Sequence, residues 1–332
     1  MNWTKGQQLQ NDNYTIKCEL GRGRFGITYL AKDNKNGEDV VIKTLNYEEL
    51  DIQIQTNQLT PEERIKLVAK FLEEADKLRL LKHPHIVKFK GSFKEGDRGC
   101  IVMEYIPGDT LNRLVKRVLP EKEALRYIQQ IGDALREVHK YNYFHRDVKP
   151  DNIMIRAGKY DAVLIDFELV RGFDHPLSRQ VTEIGFAALE LYSPQKDKGA
   201  YTDIYALAAT LYAVLTGEKP PDVRDIRDGK VQLIPPKKLN PLISERVNQA
   251  ILAGMQLEAK NRPATVDEWL KLLGLKGGIP IPVPNFEPTI WGSWANVVMA
   301  IAAVLTLMIL IADKIPKPVN NPSPPSPPAS TR

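Results

Sequence analysis

The chain has 332 residues, 43% of them hydrophobic, and its 46 Lys and Arg against 41 Asp and Glu give a net charge of +5. This length can form one large or two medium hydrophobic cores with appendages. The modest charge excess, without a dense basic patch carrying interleaved aromatics, argues against a nucleic-acid partner. Cys18 and Cys100 lie far apart without metal-ligand spacing, so we expect reduced thiols rather than a disulfide framework.

The first segment, residues 1–13, is polar and lacks the apolar core of a signal peptide. It is interpreted as a short lead-in that is not exported. Three strand patterns follow, at residues 14–18, 27–31 and 40–43.

A glycine-rich turn joins the first two strands and contains Gly21, Gly23 and Gly26. Because this G-x-G-x-x-G does not open a helix, it does not fit a dinucleotide-binding site. Two interpretations stay open: an ordinary glycine-rich hairpin, or a flap whose bare backbone can approach phosphates. Lys43 ends the third strand among buried positions, so its cation requires anionic partners.

A helix is predicted to begin at residues 60–63, which read Thr-Pro-Glu-Glu and form a capping box with proline at the first helical position. Two adjacent glutamates of this helix, Glu73 and Glu74, differ in their surroundings. Glu73 has lysines as helical neighbours, which explains it as a solvent-facing charge. Glu74 projects from an apolar stripe and therefore needs a partner.

Further along the chain, strands are predicted at residues 86–93 and 99–105, and a long helix with one apolar stripe at 121–140. A small hairpin is predicted from residues 153–155 and 162–165. Asp166 follows this hairpin directly.

Residues 145–152, between the long helix and the hairpin, read His-Arg-Asp-Val-Lys-Pro-Asp-Asn. Asp147 can orient a hydroxyl proton, Lys149 can neutralise phosphate charge, and Asn152 can hold a divalent cation; phosphoryl transfer needs all three. A polar turn after a helix would explain only part of this pattern. The stretch resembles the catalytic loop of protein kinases, H-R-D-x-x-x-x-N. A lysine two residues after the aspartate, as Lys149 is, resembles the pattern of the serine/threonine class rather than the tyrosine class.

The resemblance covers residues 14–275 and implies a two-lobed α+β fold. The small lobe, residues 14–105, would hold an antiparallel sheet and one long helix, and the large lobe, residues 106–275, would be mainly helical. The resemblance also implies ATP, Mg²⁺ (or Mn²⁺ in its place) and protein substrates with Ser or Thr acceptors. Residues 45–59 form a longer connection than the family usually has, and no role is assigned to them.

The small lobe and the hinge between the lobes are implied to bind ATP. Lys43 would contact the α- and β-phosphates and pair with Glu74. Further nucleotide contacts are implied for the glycine flap, the hinge and the adenine roof: Gly21, Gly23, Gly26, Glu104, Ile106, Thr28 and Val41. Thr28 and Val41 stand where the family usually has valine and alanine, which predicts an atypical response to adenine-site inhibitors.

The large lobe is implied to carry the chemistry. Asp166 and Asn152 would hold the metal, Asp147 would orient the acceptor hydroxyl, and Lys149 would stabilise the transferring phosphoryl group. Asp203, at the start of an almost wholly apolar helix, would orient the catalytic loop from below.

The sequence departs from the family at Glu168, which replaces the glycine after Asp166-Phe167, and at Leu189, which replaces the proline of the element at residues 185–190. Because the phosphate- and metal-contacting side chains are retained, we expect Glu168 to tune the segment rather than abolish catalysis.

Four further residues are assigned through the resemblance. Ser178 and Thr182 are candidate self-phosphorylation sites, with Arg146 as the arginine that receives the phosphate. Arg262 is predicted to pair with the glutamate of the 185–190 element.

Beyond the kinase-like region lie a Pro/Gly-rich linker, residues 276–289, and an uncharged stretch, residues 290–312. As a helix this stretch would reach roughly 34 Å, enough to span a bilayer, although a buried or interfacial helix is the alternative. The Pro-rich tail, residues 313–332, favours polyproline II. Because ATP is cytosolic, the kinase domain is expected in the cytoplasm and the tail outside.

Taken together, these patterns predict a single-pass membrane serine/threonine kinase that resembles bacterial receptor-type kinases. The alternative is a membrane-tethered pseudokinase that acts as a nucleotide-binding scaffold. Only Glu168 and Leu189 favour that alternative.

Overall fold

The structure is a computed structural model that describes residues 2–23, 26–56, 58–114, 118–167, 184–193 and 195–275, all within one unit, Met1–Ile281. Several predictions lie outside these residues: those for Glu168, Ser178, Thr182, the linker, the membrane helix and the tail. The side chain of Glu74 is likewise outside the description. In the described ranges no helix combines the length and the apolar character that crossing a membrane requires.

The small lobe is built on an antiparallel six-stranded sheet in the order β1-β2-β3-β4-β6-β5. Its strands are β1 (Gln8–Leu9), β2 (Tyr14–Arg22), β3 (Gly26–Asp33), β4 (Asp39–Leu45), β5 (Phe89–Glu95) and β6 (Arg98–Glu104). The three strands predicted before residue 44 are confirmed. The strand predicted from residue 86 begins only at Phe89, because Ile86 forms an isolated bridge with Leu164 of the other lobe.

The amino-terminal segment differs from the predicted lead-in, because it forms part of the small lobe. Gln8 and Leu9 of β1 pair with β2, and the buried Trp3 ring lies 5.2 Å from the Tyr29 ring. Together they cover the outer face of the sheet. The sequence does not reveal this because only Trp3 and Leu9, isolated among polar residues, carry the burial.

Two helices pack on the inner face of the small lobe: α1 (Tyr47–Gln55) and α2 (Pro61–Leu78). The predicted capping box of α2 is present, since Thr60 Oγ1 accepts the Glu63 N–H at 3.2 Å and Glu63 Oε2 accepts the Thr60 N–H at 2.8 Å. Helix α1 occupies the connection at residues 45–59. Sequence patterns had predicted no helix or strand in this connection.

The large lobe combines a short antiparallel sheet with helices. Its strands are β7 (Gly108–Thr110), β8 (Ile153–Arg156) and β9 (Ala162–Leu164). Its helices are α3 (Leu111–Leu114), α4 (Glu121–Lys140), α5 (Ala200–Thr216), α6 (Val223–Arg227), α7 (Pro236–Leu239), α8 (Glu245–Gly254) and α9 (Val266–Leu272). The predicted long helix and hairpin are confirmed as α4 and as β8 with β9.

Helix α5 forms the centre of the large lobe. Every residue from Thr202 to Leu215 is buried, as its almost wholly apolar sequence predicts. The helix ends at Gly217, which has a φ of +74° and so takes the left-handed position that favours glycine. The two lobes confirm the predicted α+β fold.

Candidate active site

A buried carboxylate beneath residues 145–152 fixes the backbone of that loop. Asp203 accepts the backbone N–H of His145 at 2.9 Å and of Arg146 at 2.7 Å, and His139 Nε2 lies 2.8 Å from it. Burial works against the ionised form, but these donors outweigh it and hold the pKa of Asp203 below its ordinary value. The bonds also hold Arg146 at a φ of +64°, which is rare outside glycine. Asp203 thus orients the loop, as predicted.

Three predicted catalytic side chains meet above this support. Asn152 Nδ2 lies 2.8 Å from the carbonyl oxygen and 2.7 Å from Oδ2 of Asp147, and Lys149 Nζ lies 2.9 Å from the same Oδ2. The Asp147 side chain is 13% exposed, so it is held firmly yet still reaches the surface of the cleft. Since the amide nitrogen of Asn152 donates to Asp147, its Oδ1 is the atom suited to a cation.

His145 connects this loop to the segment that carries Asp166. Burial lowers the pKa of His145, so the ring is neutral near pH 7. Its Nε2 lies 3.0 Å from the Ile165 carbonyl and its Nδ1 lies 3.3 Å from the Asp147 amide nitrogen. These partners assign Nε2 as donor and Nδ1 as acceptor. The Phe167 ring packs against the imidazole at 4.6 Å. His145 therefore links the backbone at Asp147 to the residue before Asp166, and so fixes the spacing between these two aspartates.

Lys43 of β4 forms an ion pair with Asp166. Asp166 has a φ of +58°, so the backbone leaves the extended conformation of β9 at this residue. The cation predicted to bind phosphate and the carboxylate predicted to bind metal therefore lie at one point of the cleft. Pairing of Lys43 with Glu74 stays a prediction.

Oxygen donors dominate the place where the metal is predicted. Asp166 offers a carboxylate and Asn152 an amide oxygen, a donor set suited to Mg²⁺ or Mn²⁺. Across the described ranges no group of three or more His, Cys, Asp or Glu could hold a metal ion. A cation held by these two residues would therefore complete its shell with phosphate oxygens and water, which is how Mg²⁺ usually binds beside nucleotides.

The described ends of the glycine-rich turn are Gly23 and Gly26, and Gly26 lies close against β4. Gly23 N donates to Gly26 O at 2.9 Å, and a Cβ on Gly26 would lie 2.9 Å from the Thr44 carbonyl oxygen and 3.4 Å from Lys43 Cε. Glycine is required there by this close approach. Gly26 therefore lies beside the Lys43 side chain, a position that suits one end of a phosphate flap.

The predicted adenine roof lies on the same sheet face as Lys43. Thr28 pairs with Lys43 across β3 and β4, and Val41 precedes Lys43 by two residues, so the three side chains share one face. All three are half-buried. The structure thus brings the roof, the flap and the lysine together.

The hinge is tied to the large lobe by a contact that sequence reasoning missed. Glu104 at the end of β6 accepts the Lys88 N–H at 2.9 Å, and Arg156 of β8 lies 3.3 Å from the same carboxylate. Ile106 is buried directly after it. Glu104 was predicted only as a nucleotide contact of the hinge, because an acidic side chain at the end of a strand gives no sign of a partner 52 residues away.

The element at residues 185–190 ends in a buried turn. Leu189, which replaces the usual proline, is buried in the core of the large lobe. The next residue, Glu190, forms the predicted ion pair with Arg262 at 2.7 Å. Leu189 in place of proline therefore packs in the core, and Glu190 still reaches Arg262.

Comparisons with known proteins show which family the chain resembles. The family described as "Protein kinase domain" matches residues 14–268. The relative named "Probable serine/threonine-protein kinase CPE1738" from Clostridium perfringens is 28% identical over 274 residues, which are 79% of this chain and 38% of that protein. Human serine/threonine-protein kinase Nek5 is 29% identical over 278 residues, 81% of this chain and 37% of that protein. The chain thus spans about two fifths of these relatives.

Solved structures show the same fold. The structure titled "PpkA-294 apo form" has a TM-score of 0.68 at 26% identity, and the alignment covers 82% of this chain and 99% of that one. The kinase domain of Mycobacterium tuberculosis PknI has a TM-score of 0.62 at 21% identity, and the alignment covers 82% and 99% of the two chains.

Proposed function

The chain belongs to the protein kinase family, and from this premise we propose that it is a serine/threonine kinase that transfers the γ-phosphoryl group of ATP to protein hydroxyls. The observation that carries the proposal is the cluster of Asp147, Lys149 and Asn152 on the backbone fixed by Asp203. The scaffold alternative is not favoured, because every charged group that phosphoryl transfer requires is retained.

The geometry suits a direct transfer between ATP and an acceptor hydroxyl. Asp147 accepts the hydrogen bond of the incoming hydroxyl and takes its proton as the oxygen attacks the γ-phosphorus. The bond from this phosphorus to the β,γ-bridging oxygen breaks, and ADP leaves. Lys149, beside it, balances the negative charge that develops on the transferring group. Lys43 binds phosphate oxygens from the other side of the cleft. When bound by Asp166 and Asn152, Mg²⁺ or Mn²⁺ supplies neutralisation of the phosphate charge.

The test is phosphate incorporation from γ-labelled ATP by the purified full chain, on itself or on a general acceptor protein. We expect incorporation well above that of an Asp147→Ala variant, which retains the fold but lacks the hydroxyl-orienting group. Incorporation no higher than this background would overturn the proposal. The Glu168→Gly variant tests the tuning hypothesis, because a change from an inert to an active protein would show that Glu168 blocks catalysis.

We also propose self-phosphorylation on Ser178 or Thr182. The support is the length of the segment between Asp166 and Glu190 and the position of Arg146 next to Asp147 in the catalytic loop. Mass spectrometry after incubation with ATP should find phosphate on one of them. Activity that is unchanged in the double alanine variant, together with phosphate only elsewhere, would contradict this.

Membrane attachment through residues 290–312 is part of the same proposal. Its support is the uncharged sequence, with Trp291 and Trp294 at one end where tryptophan favours the membrane interface. Alkaline extraction should leave the full chain with the membrane and release a variant that lacks residues 290–312. Protease added to intact cells should remove only residues 313–332. Release of the full chain, or cleavage within residues 14–275, would contradict it.

A further inference from the structure

The residues that begin helix α1 contact the glycine-rich turn. Asn46 is the N-cap of the helix, and its Oδ1 lies 3.4 Å from the Glu49 amide nitrogen. At the same time its Nδ2 donates to the Gly23 carbonyl at 2.9 Å. One side chain therefore caps the helix with its oxygen and holds the turn with its nitrogen.

A second contact joins the same two elements. Arg22, the residue before Gly23, lies 3.1 Å from Glu48 Oε2 and 2.6 Å from Glu19 Oε2. Glu48 also accepts from Asn2 Nδ2 at 2.9 Å. Since these groups are solvent-exposed, the ion pairs contribute little energy by themselves. They matter for geometry, because they hold the first turn of α1 beside β2, the strand that leads into the glycine turn.

Helix α1 is itself fixed to the small lobe. Tyr47 is buried, and its hydroxyl accepts the Gly99 N–H of β6 at 2.7 Å. Burial raises the pKa of Tyr47 to about 12, so the hydroxyl stays protonated. Leu50, one helical turn further on, is buried in the main core. The support for Asn46 is therefore rigid.

The described ends of the glycine turn are held by backbone contacts, since β2 pairs with β3 and Gly23 N donates to Gly26 O at 2.9 Å. Gly21 and Gly23 have no side chains, and a glycine backbone loses more conformational freedom on ordering than any other residue. Gly26 packs against β4 beside Lys43, so a lift of the turn changes the space above the lysine. The hydrogen bond from Asn46 adds a side-chain contact from a packed helix to the Gly23 carbonyl, where the turn begins.

We propose that Asn46 is a positioning residue for ATP binding, because its amide group holds Gly23 in place at the start of the glycine turn. This inference rests on the proposed kinase function and extends it to the connection at residues 45–59, which otherwise has no role. A merely structural role, in which Asn46 only caps α1, makes a different prediction for its variants.

The two functions of Asn46 can be separated by substitution. Asn46→Ser keeps a good N-cap acceptor but has no amide to reach Gly23, whereas Asn46→Ala loses both. Asp is unsuitable as the replacement, because its charge would itself weaken phosphate binding. The measurements, on the full chain, are the ATP dissociation constant by calorimetry, KM and kcat for ATP, and the midpoint of thermal unfolding.

We expect the dissociation constant and KM for ATP to rise about two- to tenfold in both variants, the range expected for one hydrogen bond. Thermal stability should fall only in Asn46→Ala. As a control, Ser244→Ala removes the N-cap of α8 in the large lobe and should lower stability without changing ATP affinity.

Wild-type ATP affinity in Asn46→Ser would overturn the proposal, as would an affinity change that follows stability across the three variants. A wild-type chain that binds ATP but incorporates no phosphate would refute the kinase activity alone, because the affinity comparison still decides the role of Asn46. A wild-type chain that binds no ATP would refute both.

Discussion

Arg262 and Glu190 form a bidentate ion pair inside the large lobe, with Nη1–Oε1 at 2.7 Å and Nη2–Oε2 at 3.1 Å. Their side chains are 0% and 4% exposed. The guanidinium also donates to three backbone carbonyls, those of Tyr201, Gln256 and Leu257. The pair therefore joins the end of the 185–190 element to the start of α5 and to the segment before α9.

Arg262→Ala is expected to destabilise the fold strongly. The substitution leaves the Glu190 carboxylate buried without its counter-ion, which typically costs about 3–5 kcal/mol. Urea unfolding followed by circular dichroism measures the loss. The control is Lys237→Ala, which breaks the exposed Lys237–Glu245 pair and should cost less than about 1 kcal/mol. Equal effects of the two substitutions would show that burial does not set the value of the Arg262 pair.

Gly108→Ala is expected to disturb the hinge. Gly108 has a φ of +149°, and a Cβ there would lie 1.9 Å from the Ile155 carbonyl oxygen. Because the obstacle is the backbone of β8, we expect a loss of at least about 2 kcal/mol in unfolding free energy and a raised KM for ATP. Gly158→Ala is the control, since Gly158 has a φ of +68° but nothing within 4 Å, and it should cost about 1 kcal/mol. A Gly108→Ala protein as stable as Gly158→Ala would contradict the steric argument.

Sequence patterns were sufficient for features set by neighbours along the chain. The capping box of α2, the apolar stripe of α4 and the order of Asp147, Lys149 and Asn152 all depend on residues within a few positions of one another. Contacts between residues that are distant in the sequence could not be predicted in this way. The Asn46–Gly23 and Glu104–Arg156 contacts join residues 23 and 52 positions apart, and nothing near either residue in the sequence indicates its partner.

Stability is expected to fall on mild acidification. Burial lowers the pKa of His145 and His83, so the unfolded chain binds more protons than the folded one below the ordinary histidine pKa of about 6.5. The stability that these two neutral histidines contribute is therefore fully present above that pH. It decreases as the pH falls towards their lowered pKa values. The lowered pKa of Asp203 adds a loss of the same sign below about pH 4.

Urea unfolding at about pH 7.5 and about pH 5.5 measures this dependence. The His145→Gln variant is the comparison, because its amide can still donate to the Ile165 carbonyl but does not titrate. The variant should lose less stability between the two pH values than the wild type. A wild-type protein that is equally stable at both, or more stable at the lower pH, would show that the histidines are not held neutral by burial.

Asp166→Asn is expected to change the metal requirement of phosphoryl transfer. The amide keeps the shape of the side chain but removes the negative charge that would bind Mg²⁺ and that neutralises Lys43. We expect the Mg²⁺ concentration for half-maximal phosphate incorporation to rise about tenfold or more, with a lower kcat at saturation. The matched control is Asp151→Asn. Asp151 belongs to the loop at residues 145–152 and accepts a hydrogen bond from Asn112 Nδ2 at 2.9 Å. In the part of the chain that the structure describes, it makes no hydrogen bond to Lys43 or Asp147. That control should titrate with Mg²⁺ like the wild type. If Asp166→Asn also did so, the metal would have to be held by other residues, and the pairing of Lys43 with Asp166 would have only a structural role.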